Sequence, residues 1–294
     1  MGPRSVFCTI AFFLCLAGTA AGALSNLRLQ TSATWAENVS RSSSALDWAD
    51  AMTYEGGISA DHRQQFNSSL TGMIQLQAGA LFRPQYNRND ELNFGVTGEL
   101  KQKFGLGPMA PVLSATGSIT GKAARMNGND GWTVTGALNA SKRLTESWRL
   151  SATADWHNHY ADSDTFNVRY QRIYGELFWD ITDRWQLNYG YGRFWGDLTA
   201  NASWTIWGRA IYGLLGPAIS NYYNAMPWEV TDSYGPGWVT YRVYGKSRLW
   251  WLQVSPALTD KTSLSLRYDS VFTVNKVNVK YRTDKWTLSL LHNF

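Results

Sequence analysis

The chain is poor in the residues that define several large protein classes. Among its 294 residues there are only two cysteines and eight prolines, and the 26 glycines follow no fixed period. These numbers exclude a disulfide scaffold, a collagen and a proline-rich disordered chain. Charged residues make up 17%, with 27 basic against 22 acidic, and the basic ones are dispersed, which argues against a nucleic-acid partner. Beyond the first two dozen residues no run approaches the roughly 18 apolar residues that a membrane-crossing helix needs. What the chain does have is aromatic surplus: fifteen Trp, fifteen Tyr and twelve Phe. A soluble β-rich protein or a membrane barrel remains.

The N-terminus favours export. Arg4 supplies a basic start, Val6 to Ala17 is an apolar run of signal-peptide length, and Ala20, Ala21, Gly22 and Ala23 are small. A cleavable signal over residues 1–23, cut after Ala23, is expected, leaving a single domain over 24–294. Both Cys8 and Cys15 fall in the removed part, so the mature chain must be stabilised without disulfides.

From Leu27 onward the chain breaks into segments of about a dozen residues with two-residue alternation. Leu92, Phe94, Val96, Gly98 and Leu100 point one way, and Asn93, Thr97, Glu99, Lys101 and Lys103 the other. Strands of soluble sandwiches usually run about five or six residues, whereas tilted membrane strands need about 9–11. Aromatics such as Trp132, Trp148, Trp179, Trp185 and Trp250 sit near the breaks, as rings do at membrane interfaces. The expected fold is all-β: a transmembrane antiparallel up-and-down β-barrel. Its twelve strands fall near 27–39, 51–66, 70–86, 91–104, 111–125, 131–144, 147–160, 165–181, 184–198, 238–258, 261–274 and 277–294. The apolar phase changes within the last strand, from odd at Val277, Val279 and Tyr281 to even from Trp286. Either a bulge near Asp284 or a hairpin turning there would explain it.

Trp286, Leu288, Leu290, His292 and Phe294 alternate up to a terminal aromatic. This ending resembles that of Gram-negative outer-membrane β-barrels, over the whole mature chain. The resemblance implies an outer-membrane location, contact with lipid and lipopolysaccharide, and delivery by periplasmic chaperones. It also implies that Trp286, Leu288, Leu290 and Phe294 form the signal read by the barrel-assembly machinery. Three tight breaks share one pattern, at Leu144-Thr-Glu-Ser-Trp148, Ile181-Thr-Asp-Arg-Trp185 and Leu258-Thr-Asp-Lys-Thr262, and read as periplasmic turns. The longer connections, above all residues 199–237, read as external loops.

Candidate lumen-lining residues are Arg28, Glu55, Arg63, Glu99, Lys101, Lys103, Lys122, Arg149, Asp155, His157, His159, Glu176, Arg267 and Asp269, with Asp61 among them. Their signs nearly balance. Paired charges would brace a closed interior, and segregated ones would line a narrow aqueous pore. Asp155, His157 and His159 alternate on one strand and could hold a metal, but a polar lumen wall explains them without one. No cofactor is expected. No nucleophile signature is present, so an enzyme is not expected, although a lipid-modifying barrel would need a serine and a histidine meeting at the wall with an orienting carboxylate or amide.

In the long external segment Trp204, Trp207, Ile211 and Leu214-Leu215 recur at helical spacing until Gly216-Pro217, and Tyr222, Tyr223 and Trp228 follow. A constricting helix, an aromatic platform for sugars, or projecting strand ends would each fit. Asn38-Val-Ser-Arg-Ser42 with Asp47 resembles barrels associated with exopolysaccharide loci. The leading expectation is a small porin-like channel for small hydrophilic solutes or saccharides. The alternatives are a non-conducting structural or surface-binding barrel and a barrel serving exopolysaccharide export.

Overall fold

The structure is a computed structural model and describes residues 26–126 and 128–294. The expected signal segment lies outside them. Strands β1 (Asn26–Glu37), β2 (Ala51–Gln65), β3 (Leu70–Phe82), β4 (Glu91–Lys103), β5 (Val112–Ala124) and β6 (Gly131–Arg143) form one half of a sheet. The other half comprises β7 (Trp148–Ala161), β8 (Val168–Thr182), β9 (Trp185–Ala202), β11 (Val239–Pro256), β12 (Thr262–Asn275) and β13 (Lys280–Asn293). A three-residue strand, β10 (Trp228–Val230), adds to the end of β11. Each long strand pairs antiparallel with its neighbours along the chain, and β1 pairs with β13 from Arg28↔Asn293 to Glu37↔Asp284. The result is a closed twelve-stranded up-and-down barrel, so among the described residues no edge of the wall itself is left unpaired.

The alternation in the sequence becomes two faces of this wall. Leu29, Ile58, Ile74, Leu92, Leu138 and Leu150 are all exposed on the outside, where lipid rather than water would meet them. Trp148 and Trp179 stack outside near the end that carries the termini, with centroids 5.3 Å apart. The tight turns at that end have a common device. Thr145 Oγ1 accepts from the N–H of Ser147 and Trp148, Thr182 Oγ1 from Arg184 and Trp185, and Thr259 Oγ1 from Lys261. The repeated threonine is therefore a hydroxyl that closes the turn.

The final hairpin corrects both explanations offered for the phase change. The chain turns over 276–279, and pairing of β13 with β1 and β12 runs through Asp284 without a shift. A bulge is found instead at the end of β8, between Asp180 and Thr182. Tyr281 is apolar on the inward face because at that height the barrel contains protein: Tyr281 and Val279 pack against the long loop.

Candidate functional site

Strands β9 and β11 have 18 residues each, longer than the other wall strands. Their extra length carries the connection 203–238 past the rim. Helix α1 (Trp204–Ile211) is capped by Ser203 and α2 (Pro217–Asn224) starts on a proline. The helical run thus ends at Ile211, short of Gly216-Pro217, because Gly213 takes a left-handed φ of 83° and breaks it.

The loop aromatics divide. Trp207 and Tyr223 are 1% and 3% exposed and form a core with Tyr241, Val239, Val243, Ala200 and Leu198. Trp207 stacks on Tyr241 at 4.8 Å and meets Tyr223 edge-on at 5.6 Å. Rings of this kind bury roughly 150–250 Å² each, about 4–6 kcal/mol apiece as an upper bound. Tyr223 Oη lies 2.6 Å from Tyr281 Oη and accepts from Asn275 Nδ2 at 3.2 Å. Burial pushes the Tyr223 hydroxyl up to about 12, against the opposing pull of those two hydrogen bonds. Tyr222 is half-buried, and its hydroxyl is also raised by burial. Trp204 and Trp228 remain exposed, 6.3 Å apart. An open sugar platform built from all five aromatics is excluded, since two of them are the loop's own core.

The first loop is tied to the same region. Asn38 is buried with φ 54°; its Oδ1 accepts from Ser42 N and Ser40 Oγ, and its Nδ2 donates to Ser42 O and to Arg282 O. Ser40 O accepts from both the backbone N–H and Nδ2 of Asn201, and Asp47 Oδ2 accepts from Ser203 N at 2.7 Å. The Asn38–Ser42 and Asp47 pattern noted in the sequence therefore fastens the first loop to β9 and to the cap of α1. Tyr234 Oη donates to Val39 O, Arg88 Nη1 to Thr231 O, Asn89 Nδ2 to Ser233 O, and Arg242 to Asn167 O. Three loops are thus bonded to one another at the mouth, and a fourth, carrying Asn167, is bonded to Arg242 of β11.

Beneath this roof the lumen holds three adjoining cavities. One of about 470 Å³ lies against Arg28, Gln30, Ser32, Glu55 and Gln77. A second of about 720 Å³ shares Glu55, Gln77 and Glu91 with it and reaches His157, His159 and the roof residues Arg41 and Tyr234. A third of about 520 Å³ adjoins the second at Arg41 and Lys285 and is lined by Tyr170, Tyr174, Trp251 and Arg267.

The candidate lumen residues take two arrangements. Asp61 is buried between Arg28 (3.8 Å) and Arg63 (2.9 Å). Lys122 pairs with Glu91 at 2.8 Å, Asp155 with Arg172 at 2.8 Å, and Arg267 with Asp269 at 2.6 Å. Among the described residues no ion pair is found for Glu55, Glu99, Lys101, Lys103, Arg149 or Glu176. Glu99, Lys101, Lys103 and Arg149 alternate with the outward Leu100 and Leu150 and so face inward, toward the terminal end. Arg149 lies over the Phe178 ring at 4.1 Å. Sequence reasoning missed Arg172 and Lys285, although each occupies the polar phase of its strand and faces a cavity.

The three residues weighed as metal ligands are engaged separately. Asp155 receives a double hydrogen bond from Arg172, His157 stacks on Tyr170 at 4.5 Å, and His159 Nδ1 lies 2.9 Å from Thr133 Oγ1. Phe294, the end of the candidate assembly signal, is exposed and donates its N–H to Leu27 O, while Trp286, Leu288 and Leu290 face outward.

No family model matches the sequence, and no curated protein matches it. Solved structures do. The COG4313 outer membrane channel from Pseudomonas putida F1 superposes with a TM-score of 0.57 at 12% identity, covering 92% of this chain and 96% of that one. The transport unit of the autotransporter AIDA-I from Escherichia coli (TM-score 0.45, 7% identity, 95% and 97% covered) and the NanC porin (0.42, 8%, 90% and 98%) resemble it less. The chain has the fold of an outer-membrane β-barrel.

Proposed function

We propose that the protein is an outer-membrane channel for small hydrophilic solutes, with its mouth narrowed by the first and the longest loops. The observation that carries this reading is a run of three adjoining cavities inside a closed wall, two of them lined mainly by polar groups and the third mixed. They extend from Arg28 near the terminal end to the loop roof at Tyr234. A barrel serving only as a scaffold would gain by filling that space with apolar side chains, as the loop core does at its own level. The ion pairs brace part of the wall, and the unpaired Lys101, Lys103 and Arg149 outnumber the unpaired Glu99 and Glu176, leaving a net positive charge toward the terminal end. In the bacterial outer membrane that end faces the periplasm and the bonded loops face outward. The barrel wall contacts outer-membrane lipid, and the last strand is the segment recognised for assembly. The test is swelling of liposomes containing the purified protein in isotonic sugars of increasing size. Swelling with pentoses and hexoses that declines for trisaccharides is expected. No swelling with any solute, from protein shown to be folded and inserted, overturns the reading.

A further inference from the structure

Charged side chains are costly on the lipid-facing side of a barrel, most so for Arg or Lys at mid-membrane and least near the interfaces. The outer face of β9, β11, β12 and β13 nevertheless carries a cluster of them in two adjacent cross-strand rows. One row reads Arg193↔Arg248↔Phe272↔Arg282, and the next Trp195↔Lys246↔Val274↔Lys280. The alternation fixes the face. Tyr191, Trp250, Phe272 and Trp286 share it and are exposed, whereas Trp251, Asp269 and Lys285 on the opposite phase line a cavity. Arg193, Lys246, Arg248, Lys280 and Arg282 are all exposed.

These rows lie on the loop side of Tyr191, Trp250 and Trp286, at the boundary where the apolar belt ends. Two arginines directly opposite each other on neighbouring strands repel. Asp284 answers only Arg282, at 2.7 Å, and Asp197 Oδ2 accepts from Arg169 N nearby. Among the described residues Arg193, Lys246, Arg248 and Lys280 have no ion pair. A cluster of uncompensated cations at an interface, flanked by Trp195 and Trp250, has the charge and the place to meet phosphate groups held at headgroup level.

We infer that this face binds the phosphorylated headgroup of an outer-leaflet glycolipid, the lipid A part of lipopolysaccharide. The inference rests on the loop end facing the outer leaflet and does not depend on whether the lumen conducts. Basic residues at a membrane surface each add to the attraction toward anionic lipid, so removal of four should cost well over tenfold in affinity.

The test is native mass spectrometry of the intact barrel in detergent, titrated with bis-phosphorylated lipid A, with its dephosphorylated form, and with phosphatidylglycerol. Wild type should retain lipid A, and the R193Q/K246Q/R248Q/K280Q variant should bind at least about tenfold more weakly while keeping heat-modifiable migration. Should the fourfold variant not fold, R193Q/R248Q and K246Q/K280Q separately should each weaken binding. Retention of lipid A by these variants as by wild type, or of the dephosphorylated lipid as of the phosphorylated one, overturns a phosphate site. Equal retention of phosphatidylglycerol overturns the glycolipid assignment. Unchanged solute permeation in the variant is expected, which separates this outcome from any failure of the channel reading.

Discussion

Tyr223 of the long loop and Tyr281 of the barrel wall hold each other by a hydroxyl-to-hydroxyl hydrogen bond of 2.6 Å, buried from solvent. Through this contact the longest connection becomes part of the barrel interior instead of projecting above it. Tyr281→Phe keeps the ring, removes the hydroxyl with its bonds to Tyr223 and Asn275, and should weaken docking by about 1 kcal/mol. Tyr223→Ala empties a ring-sized space and should cost about 3–5 kcal/mol. Limited trypsin cleavage after Arg209, which lies on α1, reports the difference. Cutting should accelerate in the order wild type, Tyr281→Phe, Tyr223→Ala, with heat-modifiable migration intact. Equal protection in all three would show that other contacts hold the loop.

The same pair makes docking sensitive to alkaline pH. Tyr223 is held near 12 by burial in the docked state and returns to about 10 when exposed to water. The docked form therefore keeps its proton longer. Docking is fully stable below pH 10 and loses stability between about 10 and 12, as the undocked form ionises first. Tyrosine ionisation followed by ultraviolet difference absorption should show Tyr223→Phe lacking amplitude only above about pH 11. Amplitude missing near pH 10 would contradict a buried Tyr223.

Trp251 lies across Gly190 inside the lumen, so a Cβ there would fall 2.0 Å from the indole ring. The indole is also held by Nε1 donating to Asn188 Oδ1 at 2.8 Å and by Arg267 above the ring at 4.8 Å. Gly190→Ala must push the ring into the cavity, at about 1–3 kcal/mol. Thermal unfolding should show this loss, and Trp251→Ala in the same chain should cancel most of it. Additive effects of the two substitutions would rule out the ring as the obstacle.

Most of the wall was legible in the sequence, because a two-sided wall writes its pattern into every second residue. The observed β4, β6 and β7 fall within a residue of their expected bounds. The last hairpin was misread because the rule that apolar means outward fails where the lumen is occupied. Val279 and Tyr281 are apolar and inward because α2 lies against them. The loop core was also hidden: Trp207 and Tyr223 stand 16 residues apart, and nothing local says that both meet Tyr241. The tie between Asp47 and Ser203 spans 156 residues. By contrast, the tight turns were readable, since the hydroxyl and the N–H groups that it satisfies lie within three residues.

The unpaired cations at the terminal end predict a charge preference. Replacing Lys101, Lys103 and Arg149 by Glu should shift the reversal potential in a salt gradient toward cation preference. Asp61, already held between Arg28 and Arg63, should matter little to selectivity when changed to Asn, although its loss leaves two arginines facing each other and should lower stability. A reversal potential indifferent to the triple substitution would place the conducting path away from that wall.

Single-channel recording in planar bilayers tests the central claim most directly, comparing wild type with a variant in which residues 204–236 are replaced by a short turn. A solute channel narrowed by its loops should give small discrete steps in wild type and larger steps in the variant. Folded, inserted protein that stays electrically silent in both forms would contradict it.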